Sequence, residues 1–379
     1  MKVVFWGTYD LGKPRTRILL SGLESAGVEV IQVHFDLWRG VEDKSRLGPF
    51  DRILYGLRWV AAYPGLIVRY LAAPRHDAVV VAYLGQIDVL VLWAFAGLRR
   101  VPVLWDMFIP LYETVVEDRR LAKPGSVKTR ILYALEWLGC RAADRVLLDT
   151  GPHAGHVEAT YALTPGKVGW VPVGSELEHF PRLPAVARGS GPAEILFYGQ
   201  LIPLHGVHTI LEAARAERGR AYRWRLIGSG QEEALVRAFL DANPLEHLVW
   251  EPWVPYEQLQ QRIAAADVCL GIFGESQKAA SVVPNKAYQV LLAGRSLVTR
   301  DSPAMRELLP LDTPGVRLVP PADPEALLDA IAALEQEGWP QPPVALRSEF
   351  SPRAIGGRLR EEIEEVVRST VQRPTRLQS

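Results

Sequence analysis

The sequence holds 379 residues, 48% of them hydrophobic, with 43 basic side chains against 43 acidic ones. That length favours two domains, because a single core stops growing at about 250–300 residues, and a balanced charge offers no global field to recruit nucleic acid. The two cysteines, Cys140 and Cys269, exclude a disulfide framework or a cysteine-rich zinc site and fit a reducing cytoplasm.

The first half alternates short β-rich runs with helical ones. Strands are predicted at Lys2–Trp6, Glu29–His34, Ala78–Ala82, Val101–Trp105, Arg145–Leu148 and Val168–Pro172. Helices are predicted at Arg15–Ala26, Ile53–Leu71, Asp88–Leu98, Lys128–Ala143 and Ala154–Tyr161. The N-terminal apolar run is too short for a signal-peptide core. The apolar stretch Val79–Leu98 mimics a membrane span, but Gly85 and Asp88 divide it where a strand-to-helix turn belongs. From Gly174 to Pro192 periodicity lapses and prolines gather, which marks a connection between domains.

The alternation then restarts, with strands at Ile195–Tyr198, Arg223–Ile227, Val249–Pro252, Val268–Ile272, Leu297–Thr299 and Val316–Val319. The helices between them are His208–Ala216, Glu232–Asp241, Tyr256–Ala265, Lys286–Ala293, Pro303–Leu308 and Pro324–Glu335, and a final amphipathic helix spans Pro352–Val371. Such alternation predicts two α/β domains, each a doubly wound parallel sheet, with ligands at the carboxyl ends of the strands.

Three segments of the second half carry chemistry. In the first, Gly199-Gln200…His205-Gly206 links a strand to a helix start, whose free N–H groups suit an anion. In the second, Gly228-Ser229-Gly230 ends a strand, and two readings fit: a backbone cradle for phosphate or sugar, or a tight turn. The third runs from Gly271 through Glu275 and Lys278 to Pro284-Asn285-Lys286-Ala287-Tyr288-Gln289. Asn285 is placed there as a helix cap, Lys278 and Lys286 as cations at the helix start, and Gln289 one turn on. Solvent exposure is the competing reading of both lysines.

In order and spacing these segments resemble the C-terminal domain of the family 4 retaining glycosyltransferases of the two-Rossmann (GT-B) fold, in a variant branch with a Pro-Leu-His-Gly loop. The resemblance implies two Rossmann-like domains facing across a cleft. Residues 1–180 would bind the acceptor, 181–350 the nucleotide-sugar donor, and 351–379 would form a helix crossing back to the first domain. It also implies nucleobase contacts at Trp253 and Val254, where stacking and plain packing both fit the indole. The family's glutamate pair reads Ser281 and Gln289 here, so Glu275 is the substitute carboxylate, and the two strong cations of its diphosphate loop read Gln200 and His205. Lys278, Lys286, Arg300 and Arg306 are the candidates to supply that charge.

On the acceptor side, Gly7, Gly12, Arg15 and Tyr112 flank strand ends, and Asp106 closes a buried strand, either as a working carboxylate or as a turn cap. The implied reaction is a front-face displacement that needs no cofactor or metal, with the nucleotide diphosphate-sugar as co-substrate and a sugar, lipid-linked or small-molecule acceptor. No Asp-x-Asp motif is present, and His205 and His208 read as loop or surface residues. Two alternatives stay open, a nucleotide-sugar epimerase and a non-catalytic transferase-like binding subunit. Seven basic residues (Arg39, Lys44, Arg46, Arg52, Arg58, Arg69, Arg75) against Glu42, Asp43 and Asp51, with interleaved aromatics, read either as a peripheral contact with anionic membrane or as an ordinary outer helix. The expected location is cytoplasmic, at the inner face of the membrane in the first of these readings.

Overall fold

The computed structural model describes residues 1–38, 48–186 and 191–371. The chain forms two compact units, each with its own six-stranded parallel sheet. The first unit comprises residues 1–112, 122–174 and 351 onward, and the second comprises 113–121 and 175–350.

In the first unit the elements run β1 (Lys2–Gly7), α1 (Pro14–Ser25), β2 (Glu29–His34), α2 (Pro49–Ala72), β3 (Ala78–Val81), α3 (Gln86–Arg99), β4 (Val103–Asp106), α4 (Val127–Ala142), β5 (Arg145–Leu148), α5 (Gly151–Tyr161) and β6 (Val168–Trp170). The strand order is β2-β1-β3-β4-β5-β6. Strand β1 is apolar without alternation because both its faces are covered. Val4 and Trp6 pack with Leu66, Val89 and Cys140 on one side, while Val3 and Phe5 pack with Ile18, Leu359 and Ile363 on the other. The apolar stretch after Val79 resolves into β3 and α3 as expected, and no described helix is long and apolar enough to cross a membrane.

The second unit contains β7 (Glu194–Tyr198), α6 (Val207–Arg215), β8 (Arg223–Ile227), α7 (Glu233–Ala242), β9 (Leu248–Glu251), α8 (Tyr256–Ala265), β10 (Val268–Leu270), α9 (Gln277–Ser281), α10 (Asn285–Ala293), β11 (Ser296–Arg300), α11 (Pro303–Leu308), β12 (Val316–Val319), α12 (Pro324–Gln336) and α13 (Leu346–Glu349). Its order is β12-β11-β10-β7-β8-β9, so consecutive strands wind outward in both directions from the β7/β10 pair. That pair is the topological switch point, where open α/β sheets bind ligands outside their strand carboxyl ends. In the first sheet the corresponding point lies between β1 and β3. The last helix, α14 (Pro352–Val371), returns to the first unit and packs on α1.

Four structural features differ from the sequence expectations. Strand β4 begins at Val103, two residues later than expected, and closes on Asp106. A π-helical turn, Glu113–Asp118, has no period the sequence could reveal, and it belongs to the second unit. The short helix α9 separates Lys278 from the helix that carries Lys286. Asn285 is the first residue of α10 rather than its cap: Pro284 takes the cap position, and no side chain caps that end.

Candidate functional site

Lys286, the second residue of α10, lies at the switch point of the second sheet, with its side chain buried. Its Nζ donates to the Gly271 carbonyl just beyond β10 at 3.2 Å and stands 3.7 Å from the centre of the Phe197 ring in β7. Burial holds its pKa well below the ordinary lysine value. Among the described residues no carboxylate pairs with it. A cation taken out of water with only a carbonyl and an aromatic face for company is stabilised by any anion that reaches it.

The Gly199–Gly206 loop folds over this lysine. A side chain at Gly199 would meet the His205 ring at 3.0 Å and Lys286 Nζ at 3.1 Å, so Gly199, His205 and Lys286 form one cluster. His205 is buried in a short 3-10 turn, with Nδ1 against the Gln200 carbonyl and its ring edge-on to Phe197. Burial first, then the charge of Lys286, pushes its pKa well below the usual histidine value, so the ring is neutral at neutral pH. Gly206 ends the turn and begins α6.

Of the two readings of Gly228-Ser229-Gly230, the tight turn has direct support. Gly228 has φ +154°, and a Cβ there would overlap the Gly199 carbonyl oxygen. A Cβ on Gly230 would lie 2.7 Å from the Leu201 carbonyl oxygen. These glycines let two loops approach each other, which shapes the Gly199 loop from beneath.

The remaining candidates of this unit divide by partner. Lys278 donates to Thr114 Oγ1 at 2.6 Å and lies 3.6 Å from Glu113. Arg300 is buried and spends its guanidinium on the Gly274 and Ser276 carbonyls, and the exposed Arg306 is paired with Asp301 through Nε at 2.6 Å. Two of the four proposed cations, Lys278 and Arg306, thus have carboxylate neighbours, while Arg300 and Lys286 meet carbonyls. Glu275 is exposed in the loop before α9, and Ser281 is buried with its hydroxyl donating to the Gln277 carbonyl at 3.0 Å. Gln289 accepts from the Tyr198 hydroxyl at 3.0 Å, which fixes its carbonyl oxygen and leaves the amide N–H₂ to point elsewhere. Trp253 is 70% exposed and Val254 half-buried, so the indole packs little of its surface against protein.

One residue of this neighbourhood escaped the sequence reading. Arg119, from the segment that joins the second unit, donates through Nη2 to Gln200 Oε1 at 3.2 Å. Its charge contributes to the lowered pKa of His205. The only signal in the sequence was the charged run Glu117-Asp118-Arg119-Arg120, which chain order assigned to the first half.

In the first unit, Asp106 and Arg15 form a buried ion pair at 2.7 Å, each side chain 1% exposed. Arg15 Nε adds bonds of 3.2 Å to both carboxylate oxygens, and Nη1 reaches the Val171 carbonyl at 2.8 Å. The Asp106 carboxylate is engaged by a guanidinium that ties α1, β4 and the end of β6 together. Gly7 lies against Asp88, which accepts from Thr8 N at 2.8 Å and the Tyr63 hydroxyl at 2.7 Å. Gly12 N donates to Asp10 at 2.9 Å, and Tyr112 N to the buried Glu136 at 2.9 Å. Burial keeps the Asp88 and Glu136 carboxyls above their ordinary range.

Residues 192–337 match the family described as Glycosyl transferases group 1. The Escherichia coli (strain K12) protein WcaL, named as a colanic acid biosynthesis glycosyltransferase, is 28% identical over 172 residues, which is 43% of this chain and 41% of WcaL. The match thus spans about two fifths of that relative's length. Among solved structures, the lipopolysaccharide outer core galactosyltransferase WaaB superposes with TM-score 0.63 at 14% identity, covering 96% of this chain and 99% of that one. Anabaena HepE in complex with UDP gives 0.60 at 13%, covering 96% and 100%. Sucrose-phosphate synthase from Thermosynechococcus elongatus gives 0.62 at 15%, covering 98% of each chain. The fold is therefore GT-B, with two Rossmann-like units.

Proposed function

We propose that the chain is a retaining glycosyltransferase that moves a sugar from a nucleoside diphosphate-sugar to an acceptor in cell-surface polysaccharide or glycolipid synthesis. The observation that carries this reading is Lys286: a buried ammonium without an anionic partner at the switch point of the second sheet, beside Gly199 and His205. The group 1 match over the same unit supports it, as do the names of WcaL and WaaB. As the bond to the leaving diphosphate breaks, negative charge builds on that group. Lys286 and the free N–H groups at the starts of α6 and α10 stabilise it, each such contact being worth roughly 10²–10³ in rate. Gln289 donates to the ribose, Trp253 stacks on the base, and Glu275 faces the transferred sugar. Gly7, Gly12 and Tyr112 shape the acceptor side, where the Arg15–Asp106 pair acts as a positioning strut. No step uses a metal, so turnover should persist in EDTA.

The test incubates UDP-, GDP- and ADP-sugars with the protein, first by thermal shift and then by product analysis of the anomeric configuration. Selective stabilisation by one diphosphate with release of that diphosphate supports transfer. Epimerised sugar in the product replaces it with an isomerase, and binding without turnover leaves a non-catalytic subunit.

We also propose that the acceptor is met at an anionic lipid surface, through α2. Phe50, Ile53, Leu57, Val60 and Val68 on its outer face are 65–76% exposed, while Ala62, Leu66 and Tyr70 face the core. Trp93 of the neighbouring α3 is also exposed, as are the flanking Arg58, Arg75 and Arg100. Of the basic run seen in the sequence, Arg39, Glu42, Asp43, Lys44 and Arg46 lie outside the described residues, as does the Arg52 side chain. An apolar outer face flanked by cations fits a bilayer interface. Flotation with phosphatidylglycerol vesicles should recover the protein, and Leu57→Glu/Val60→Glu should abolish recovery. Sedimentation as a dimer that those changes dissolve would assign the face to a second copy instead.

A further inference from the structure

The donor site as read from sequence lacks two strong cations, and the structure shows where one replacement stands. Of the cations proposed for it, Lys278, Arg300 and Arg306 are held by Glu113 and Thr114, by loop carbonyls and by Asp301. Arg119 is different. It makes no ion pair within 4 Å among the described residues, its one side-chain partner is the neutral Gln200 amide oxygen, and its Nε is buried without any partner.

The segment that carries it is firmly moored. Within the second unit, Lys278 grips Thr114, the Ser276 hydroxyl bonds Asp118 at 3.4 Å, and Gln231 Nε2 donates to the Arg119 carbonyl at 2.9 Å. The π-helical turn thereby sets the Arg119 side chain on the Gly199–Gly206 loop, beside His205 and on the side of Gln200. Guanidinium groups suit this duty because they present several donors in a plane matched to phosphate oxygens. Asp118, the nearest acid in sequence, accepts from Ser276 and feels the charges of both Lys278 and Arg119, yet the Arg119 guanidinium makes its hydrogen bond to Gln200 on the loop.

We propose that Arg119 is a donor-site residue that binds the β-phosphate of a nucleoside diphosphate together with Lys286. The assignment rests on the donor-site reading above, and the experiment separates the two. Titration calorimetry of the full chain compares UDP with UMP, and GDP and ADP with their monophosphates. The wild type should prefer one diphosphate over its monophosphate. Arg119→Ala should weaken that diphosphate about 10–100-fold while leaving the monophosphate nearly unchanged, and Arg119→Lys should recover part of the loss. A merely structural role would weaken both nucleotides alike or lower the melting temperature of the free protein, and either result overturns the assignment. Unchanged diphosphate binding in Arg119→Ala overturns it while sparing the donor-site reading. A wild type that binds none of the diphosphates overturns both.

Discussion

A buried lysine announces its ligand through protons. In the folded chain Lys286 has its pKa lowered by desolvation, so across the window between that lowered value and the unfolded one, about 10.4, the unfolded chain holds more protons. Its contribution to stability therefore rises with pH through that window. A diphosphate placed against it favours the charged form and raises the pKa again. At pH 8 the nucleotide is fully ionised, and His205, lowered well below 6.5, is neutral, so neither takes up a proton. Nucleotide binding should accordingly be accompanied by proton uptake within that window, measured by calorimetry at a series of pH values from 8 upward in buffers of different ionisation enthalpy. Lys286→Met should abolish the uptake and weaken binding about 10–100-fold; an undiminished uptake would remove Lys286 from the site. This lysine was legible in the sequence because Pro284 and Asn285 mark a helix start beyond a strand. The fates of Lys278 and Asp106 were not legible. Their partners, Glu113 and Arg15, come from distant stretches of chain, and no local pattern tells which distant charge a fold will deliver.

At the level of elements, close backbone approach decides what can be changed. Helices α1 and α14 cross with no side chain between them: a Cβ on Gly22 would lie 2.9 Å from Gly356 N, and one on Gly356 would overlap the Gly22 backbone. Around this crossing Ile355, Leu359 and Ile363 share a core with Ile18, Leu19 and Leu23. Gly356→Val should force the helices apart and destabilise the first unit by about 1–3 kcal/mol, read as a lower urea midpoint. A variant as stable as the wild type would mean the crossing is looser than its geometry. The central strands β1, β3, β4, β10 and β11 were legible as apolar runs bounded by turn residues, because strands buried on both faces need no periodicity to be seen. The π-helical turn Glu113–Asp118 was not, since its spacing matches neither the period of a helix nor that of a strand. Chain order also misplaced it, for it follows β4 of one unit and packs on α9 of the other.

For the whole molecule, that misplaced segment makes the two proposals about the donor site testable together. Chain order alone would have nucleotide protect only residues after Gly174. If the second unit holds the diphosphate, amides that open locally should be protected by mass action, by about 2.7 kcal/mol at a hundredfold excess over Kd, wherever opening destroys the site. The loop Gly199–Gly206 and the helix start Asn285–Gln289 belong to that set through Lys286 and His205. So does the stretch 113–121, whose Arg119 carbonyl is held by Gln231 and whose side chain rests on Gln200. Hydrogen exchange with and without UDP, GDP or ADP should therefore slow these three stretches together. The core of the first sheet, built on the buried strands β1 and β3, should keep its rate. Protection confined to the β1–α1 loop around Gly7 and Gly12 would move the nucleotide to the first unit. Protection of Gly199–Gly206 and Asn285–Gln289 without 113–121 would keep the donor site and release Arg119 from it.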